Sequence, residues 1–303
     1  MKKVKTILLS TIFMASVHTA YALEQGVSPN PVGVTSSFIG SFPPIPGVFL
    51  MEQTSVTNSN GLYDNEGKKM PFPTFKSRAT STTPRILINW PVTLPGGGTI
   101  HSEIIPPVVF LNTNFAGQKS STSGMSNLDI NPIILSYNLP HHMLAAIGVD
   151  LILNTGSSSA SKAGVATGYT TYSPASVLVY NNPQGADIGV LGRLYINDKN
   201  AKTGYQSGTS YQMDYIAGWH FGALEVGLNG GFLSQIGHDS QNGISLPNKD
   251  TQIFTVGPMI QYNGVLGKMP YAINVNYQFQ AIAHNTSKGN TLWVNIGIPL
   301  YIG

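Results

Sequence analysis

The stretch Tyr271-Ala272-Ile273-Asn274-Val275-Asn276-Tyr277-Gln278-Phe279-Gln280-Ala281 carries the clearest structural signal in the chain. Successive side chains of an extended strand point to opposite faces. Tyr271, Ile273, Val275, Tyr277 and Phe279 therefore share one face, and Ala272, Asn274, Asn276, Gln278 and Gln280 share the other. One side is apolar and aromatic, the other lined with amides. An amphipathic helix would return its apolar residues at three and four positions, which this run does not do.

The same alternation recurs outward from this run. Leu292, Val294, Ile296, Ile298 and Leu300 oppose Asn295 and Gly297. Met213, Tyr215, Ala217 and Trp219 oppose Gln212, Asp214, Gly218 and His220, and Leu224, Val226 and Leu228 oppose Glu225, Gly227 and Asn229. Earlier, Ala145, Ile147, Val149 and Leu151 oppose Gly148 and Asp150, while Val190 and Leu194 oppose Asp187 and Arg193. About twelve such runs, each near the ~9–11 residues of a tilted membrane strand, are expected. They lie near residues 47–57, 83–93, 100–112, 127–138, 142–154 and 168–180, then 186–198, 209–220, 222–235, 251–262, 270–282 and 290–301.

The links between runs alternate in length. Short ones fall at Pro95-Gly96-Gly97-Gly98, Leu139-Pro140-His141, Asn182-Pro183-Gln184-Gly185 and around Phe221-Gly222. Long polar ones fall at 58–82, 113–126, 155–167, 199–208 and 236–250. Outer-membrane barrels sort their connections this way, with short periplasmic turns, long extracellular loops and an even strand number. A soluble sandwich has no reason to do so. The expected fold class is all-β, an antiparallel up-and-down transmembrane β-barrel with both barrel ends in the periplasm. Trp90 and Trp219 fall on apolar faces near short-turn ends, where an interfacial girdle sits, whereas Trp293 falls on the polar face. Pro174 and Pro258 interrupt runs, and because proline cannot donate to a ladder, bulges are expected there; Pro91, Pro132 and Pro299 lie near run ends.

The N-terminus points to export. Lys2, Lys3 and Lys5 precede a short apolar core from Ile7 to Val17, and Ala20-Tyr21-Ala22 presents small residues to a signal peptidase. The expected organisation is a signal peptide over 1–22, a Ser-, Pro- and Gly-rich periplasmic arm or plug over 23–46, and a barrel over 47–303. No later segment approaches the ~20 apolar residues of a membrane helix. Charged residues are only 10% of the chain, against about 25% in soluble domains. The chain has 16 basic and 13 acidic residues, and removing three lysines with the signal leaves 13 against 13. With no basic run, nucleic-acid binding is not expected. The absence of cysteine excludes disulfides, thiolate metal sites and cysteine nucleophiles. The end, Leu300-Tyr301-Ile302-Gly303, is close to the terminal aromatic signal that barrel-assembly machinery reads, displaced by two residues.

Asn200-Ala201-Lys202-Thr203-Gly204-Tyr205-Gln206-Ser207-Gly208 resembles the N-x-x-T-x-Y-x-S-G stretch of the meta-pathway phenol-degradation (MetA-pathway) family of outer-membrane transporters. The order of other features matches too: Pro46-Gly47-Val48-Phe49-Leu50, Leu128-Asp129-Ile130-Asn131-Pro132, Gln235-Ile236-Gly237-His238-Asp239-Ser240, Gly257-Pro258 with Tyr262, and a late Trp293. The likeness spans nearly the whole mature chain. It implies a barrel passing small molecules, hydrophobic or aromatic ones among them, and it brings no catalytic residues.

Asp150, Asp187, Arg193, Asp214, Glu225, Asn274, Asn276, Gln278 and Gln280 are the pore-lining candidates, as charges or amides on the polar face. They would either set the charge and width of a pore or form a satisfied network filling a narrow barrel. His238-Asp239-Ser240 holds triad residue types, but three successive residues cannot form the relay. Adjacent His141-His142 diverge and lack a nearby carboxylate, and Gly96-Gly97-Gly98 precedes no helix pattern. No catalytic set, cofactor or metal site is therefore expected. The partners expected are outer-membrane lipid and lipopolysaccharide, the barrel-assembly machinery and a small-molecule substrate. The alternatives are an adhesin or structural barrel acting through its loops, and a lipid-modifying enzyme, for which no Ser/His pair stands on neighbouring apolar faces. The facing has a direct consequence. Val275→Arg faces lipid at a cost of ~2–4 kcal/mol and should lower the yield of folded barrel, read by heat-modifiable gel mobility. Asn276→Arg should assemble; equal yields would refute the register.

Overall fold

In lipid every backbone N–H and C=O needs a protein partner, and strands meet that demand only by closing into a ring. The computed structural model describes residues 23–72, 74–158, 164–247 and 250–303; the expected signal peptide lies outside them. In chain order the strands are β1 Gly47–Tyr63, β2 Phe75–Thr93, β3 Thr99–Ile105, β4 Val108–Phe115, β5 Gln118–Met125, β6 Leu128–Leu139, β7 Met143–Leu153, β8 Thr171–Asn181 and β9 Ala186–Asn197. They continue with β10 Tyr205–Gln206, β11 Ser210–Phe221, β12 Leu224–Gln235, β13 Asp239–Gln241, β14 Ile244–Leu246, β15 Gln252–Leu266, β16 Met269–His284 and β17 Thr286–Ile302. Among the described residues, twelve strands pair antiparallel in the order β1-β17-β16-β15-β12-β11-β9-β8-β7-β6-β3-β2, and β2 returns to β1 to close the barrel. No described helix is long and apolar enough to cross a membrane.

Three expectations about the strands need correction. The run 100–112 is cut by Pro106-Pro107 into β3 and β4, since neither proline can donate to a ladder. β4 and β5 form a hairpin that continues the wall above β3, pairing with the Phe75–Thr82 half of β2. The supposed long links 58–82 and 113–126 are thus largely strand. The links 199–208 and 236–250 carry a small sheet, β10-β13-β14, over the long-loop end. Finally, Pro174 and Pro258 produce no bulge. The β7–β8 and β12–β15 ladders pass through them in register, and each proline merely omits rungs on its other side. Register shifts flank Pro91, Pro132 and Pro299 instead.

Facing follows the alternation. Ile273, Val275, Tyr277 and Phe279 lie on the outer surface, while Asn274, Asn276 and Gln278 are buried inside. Trp90 and Trp219 face outward beside short turns, and Trp293 is buried inward. The turns satisfy their own geometry: His141 and His142 both take positive φ at the tip between β6 and β7.

Inside the wall, Arg85 on β2 donates to both carboxylate oxygens of Glu103 on β3, at 2.8 and 2.9 Å. Both side chains are buried. Breaking such a pair from one side leaves an uncompensated charge. Glu103→Gln should lower unfolding stability in urea by ~3–5 kcal/mol, whereas Arg85→Met with Glu103→Leu should cost much less.

Candidate functional site: the barrel lumen

The inner wall needs partners for its polar groups, and residues 23–46 supply several of them. This segment begins at the long-loop end with a 3-10 turn over Glu24–Gly26 and descends inside the barrel to Gly47, where β1 pairs with Ile302. Its descent is tied to three kinds of wall.

A charged centre lies on β7, β9 and β11. Arg193 Nε donates to Asp150 Oδ2 at 3.2 Å, Arg193 Nη1 lies 3.5 Å from Asp214 Oδ2, and Arg193 Nη2 donates to Thr35 Oγ1 at 2.9 Å. Asp214 also accepts the backbone N–H groups of Gly33 at 2.9 Å and Thr35 at 3.0 Å. One guanidinium thus sits between two carboxylates, and the arm adds hydrogen bonds to Arg193 Nη2 and to Asp214. Gly231 on β12 lets the arm pass: a Cβ there would stand 2.6 Å from Gly33 N.

An amide wall lies on β12, β16 and β17. Ser37 Oγ accepts from Asn276 Nδ2 at 2.9 Å and Asn295 Nδ2 at 3.0 Å, and donates to Asn274 Oδ1 at 2.9 Å. Gln278 Nε2 donates to Gly33 O at 3.2 Å and Ser36 Oγ at 3.1 Å. Lower down, Asn89 Nδ2 donates to the carbonyls of Pro43 and Ile45.

An apolar wall completes the circuit. Ile39 packs among Ile134, Val177, Val179, Leu191, Ile216 and Met259, and Phe38 packs on Phe49, Met51 and Leu87. Phe42 packs against His101 with the rings tilted by 34° and centroids 4.8 Å apart. Toward the short-turn end a cavity of about 490 Å³ remains, lined by Ile39, Leu144, Val179 and Ile216 beside Asn138, Asn181 and Asp187.

At the long-loop end a clasp grips the start of the arm. Asn200 Nδ2 and Thr203 Oγ1 donate to the Glu24 carboxylate, and the Glu24 N–H donates to Ser207 Oγ at 3.1 Å. Tyr205 and Gln235 donate to Asp239, which also accepts the Gly208 N–H at 2.7 Å. Burial pushes the Asp239 carboxyl above its ordinary value, while those hydrogen bonds pull it back. Burial and then Asp239 push the Tyr205 hydroxyl up. Gly208 is needed for close approach, because a Cβ there would collide with Gly237 O. His238 instead points out to Asp250, at 3.1 Å.

The structure therefore brings Asp150, Arg193 and Asp214 together, and joins Asn274, Asn276 and Gln278 through the arm. Asp187 and Glu225 lie apart from these, near the short-turn end with His220. Gln280 braces the β16–β17 turn, accepting the Gly289 N–H at 3.0 Å and donating to Ser287 O at 3.1 Å. The residues missed in sequence are the arm's own Glu24, Thr35 and Ser37, and Asn229, Asn295 and His220 on the wall.

A barrel with an apolar exterior, a polar interior and a chain segment threaded through its lumen has the fold of the outer-membrane channels. The chain belongs to the family described as "Putative MetA-pathway of phenol degradation", whose profile matches residues 59–296. No curated protein matches it. Its fold is similar to the crystal structure of an outer membrane channel from Pseudomonas putida F1, with TM-score 0.74 and 14% identity over 86% of this chain and 97% of that one. It is more distantly similar to the transport unit of the autotransporter AIDA-I from Escherichia coli, with TM-score 0.50 and 10% identity over 88% of this chain and 94% of that one.

With no native cysteine, the arm's docking is open to labelling. Ser36→Cys should resist a maleimide in folded protein, because Ser36 is fully buried. Adding Asp214→Asn weakens two charge-assisted bonds to the arm and should raise the labelling rate about tenfold or more. An unchanged rate would mean that Asp214 does not hold the arm.

Proposed function

We propose that this protein is an outer-membrane channel for small molecules, hydrophobic and aromatic ones among them, whose lumen is plugged by residues 23–46 until the arm yields. The observation that carries this reading is the composite wall under the arm. Ile134, Val177, Val179, Leu191 and Ile216 offer an apolar track, and Asn229, Asn274, Asn276 and Asn295 face it with donors and acceptors. A ring with one polar substituent fits such a wall, and the cavity at the short-turn end falls in the ~300–1,000 Å³ range of ligand sites. The charged centre of Asp150, Arg193 and Asp214 would then line the route and set its ion preference, as would Asp187. The family's phenol-degradation description supports a phenol-like cargo, and the similar channel from Pseudomonas putida F1 supports passage as the activity. This reading involves no catalysis and no cofactor. It includes removal of residues 1–22 on export, delivery by the assembly machinery, and lipid and lipopolysaccharide around the outer belt.

Planar-bilayer recording tests the plug. The intact mature chain should give small, infrequent conductance steps, and deletion of residues 23–42 should give larger and sustained ones. In liposomes the deletion should also speed phenol entry. Identical traces and entry rates for both proteins would overturn the plugged-channel reading.

A further inference from the structure

At the short-turn end of the lumen, the tight turn between β11 and β12 sets His220 opposite Glu225, and Asp187 stands on the neighbouring β9. One ligand atom from each lies within 4.8 Å of the others. All three side chains are buried, Glu225 completely. Both Glu225 oxygens, Asp187 Oδ1 and His220 Nε2 lack a hydrogen-bond partner. Asp187 Oδ2 accepts from Asn181 Nδ2 at 2.8 Å and lies 3.9 Å from His220 Nε2. The space is kept by Gly218, where a Cβ would collide with Glu225 Oε1.

Two buried carboxylates converging on one point, with three of their four oxygens lacking a donor, are costly inside a protein unless a proton or a cation neutralises them. Imidazole nitrogen with carboxylate oxygen is the donor set of zinc and its first-row neighbours, whereas calcium and magnesium take oxygen alone. We propose that Asp187, His220 and Glu225 form a binding site for a divalent transition-metal ion on the inner wall of the barrel, at the periplasmic mouth. Bonds of ~2.0–2.2 Å require the three ligands to close by on the order of 1 Å, within reach of side-chain rotation. Three protein ligands leave a coordination position open, and Asp187 also lines the adjoining cavity. Asn181 is the positioning residue, fixing the Asp187 carboxylate from behind. The bound ion would tie β9, β11 and β12 together beside the lower end of the arm.

The test is direct binding by the folded mature protein in detergent, with folding checked by heat-modifiable mobility. Cobalt(II) should bind at about one ion per chain with visible d–d absorption, and zinc should displace it. His220→Gln and Glu225→Gln should each weaken binding about tenfold or more, and Asn181→Ala about tenfold. His141→Asn with His142→Asn, on the exposed turn nearby, should leave it unchanged. The proposal is overturned if folded wild-type protein binds no stoichiometric cobalt. It is equally overturned if the folded His220→Gln/Glu225→Gln protein still binds, or if only the His141/His142 variant loses the ion.

Discussion

The constraint on which the structure depends is that hydrocarbon offers no partner to a polar group. Outside the barrel this forces the strands to close, so that each ladder finds its neighbour. Inside, the same constraint returns in another form. The wall brings Arg193, Asp150 and Asp214 into a space closed to water, where an unpaired charge or amide is costly. Those groups are balanced in part by one another and in part by the backbone N–H groups of Gly33 and Thr35 and the Thr35 hydroxyl, while the Ser37 hydroxyl partners the amides of Asn276 and Asn295. Wall and arm are therefore one polar system, and neither is satisfied alone.

This explains which features were legible in the sequence. Period-two alternation exposes a strand only where one face meets lipid, and Tyr271 to Ala281 is such a strand. Phe75–Thr82 and Gln118–Met125 are strands as well, yet Lys76, Ser77, Arg78, Lys119, Ser120 and Ser121 show no apolar face. They stand above the apolar belt, where the outer face need not be hydrophobic, and so they read as loops. The prolines misled for a related reason. A strand residue directs its N–H to one neighbour only, so Pro174 and Pro258 cost a rung and leave the register intact.

The site divides along the same line. That Asp150, Asp214, Asn274 and Asn276 face inward follows from parity along each strand. What they meet does not, because the arm has no periodicity and its contacts join residues up to 258 positions apart. Asp187, His220 and Glu225 were separable only by strand pairing. His220 and Glu225 belong to one hairpin, whereas Asp187 reaches them from the next strand.

The family-like motifs gain a physical meaning once folded. Asn200, Thr203, Tyr205, Ser207, Gly208, Gln235 and Asp239 look like two loop signatures, but they converge on Glu24 or on the Asp239 carboxylate behind it. The arm is thus held by unlike grips along its length: a clasp at the long-loop end, a charged and amide-lined middle, and apolar contacts toward the periplasm. The first two are directional hydrogen bonds to buried carboxylates and amides, which are lost abruptly when the geometry fails. The last is packing of Ile39 and Phe42 next to an existing cavity, which can be replaced by any apolar body of similar size. If the arm is displaced as proposed, displacement from the periplasmic side exchanges like for like, whereas displacement from outside must first break the clasp. On the proposed plugged-channel reading, that apolar end is the one a hydrophobic cargo would share with the arm.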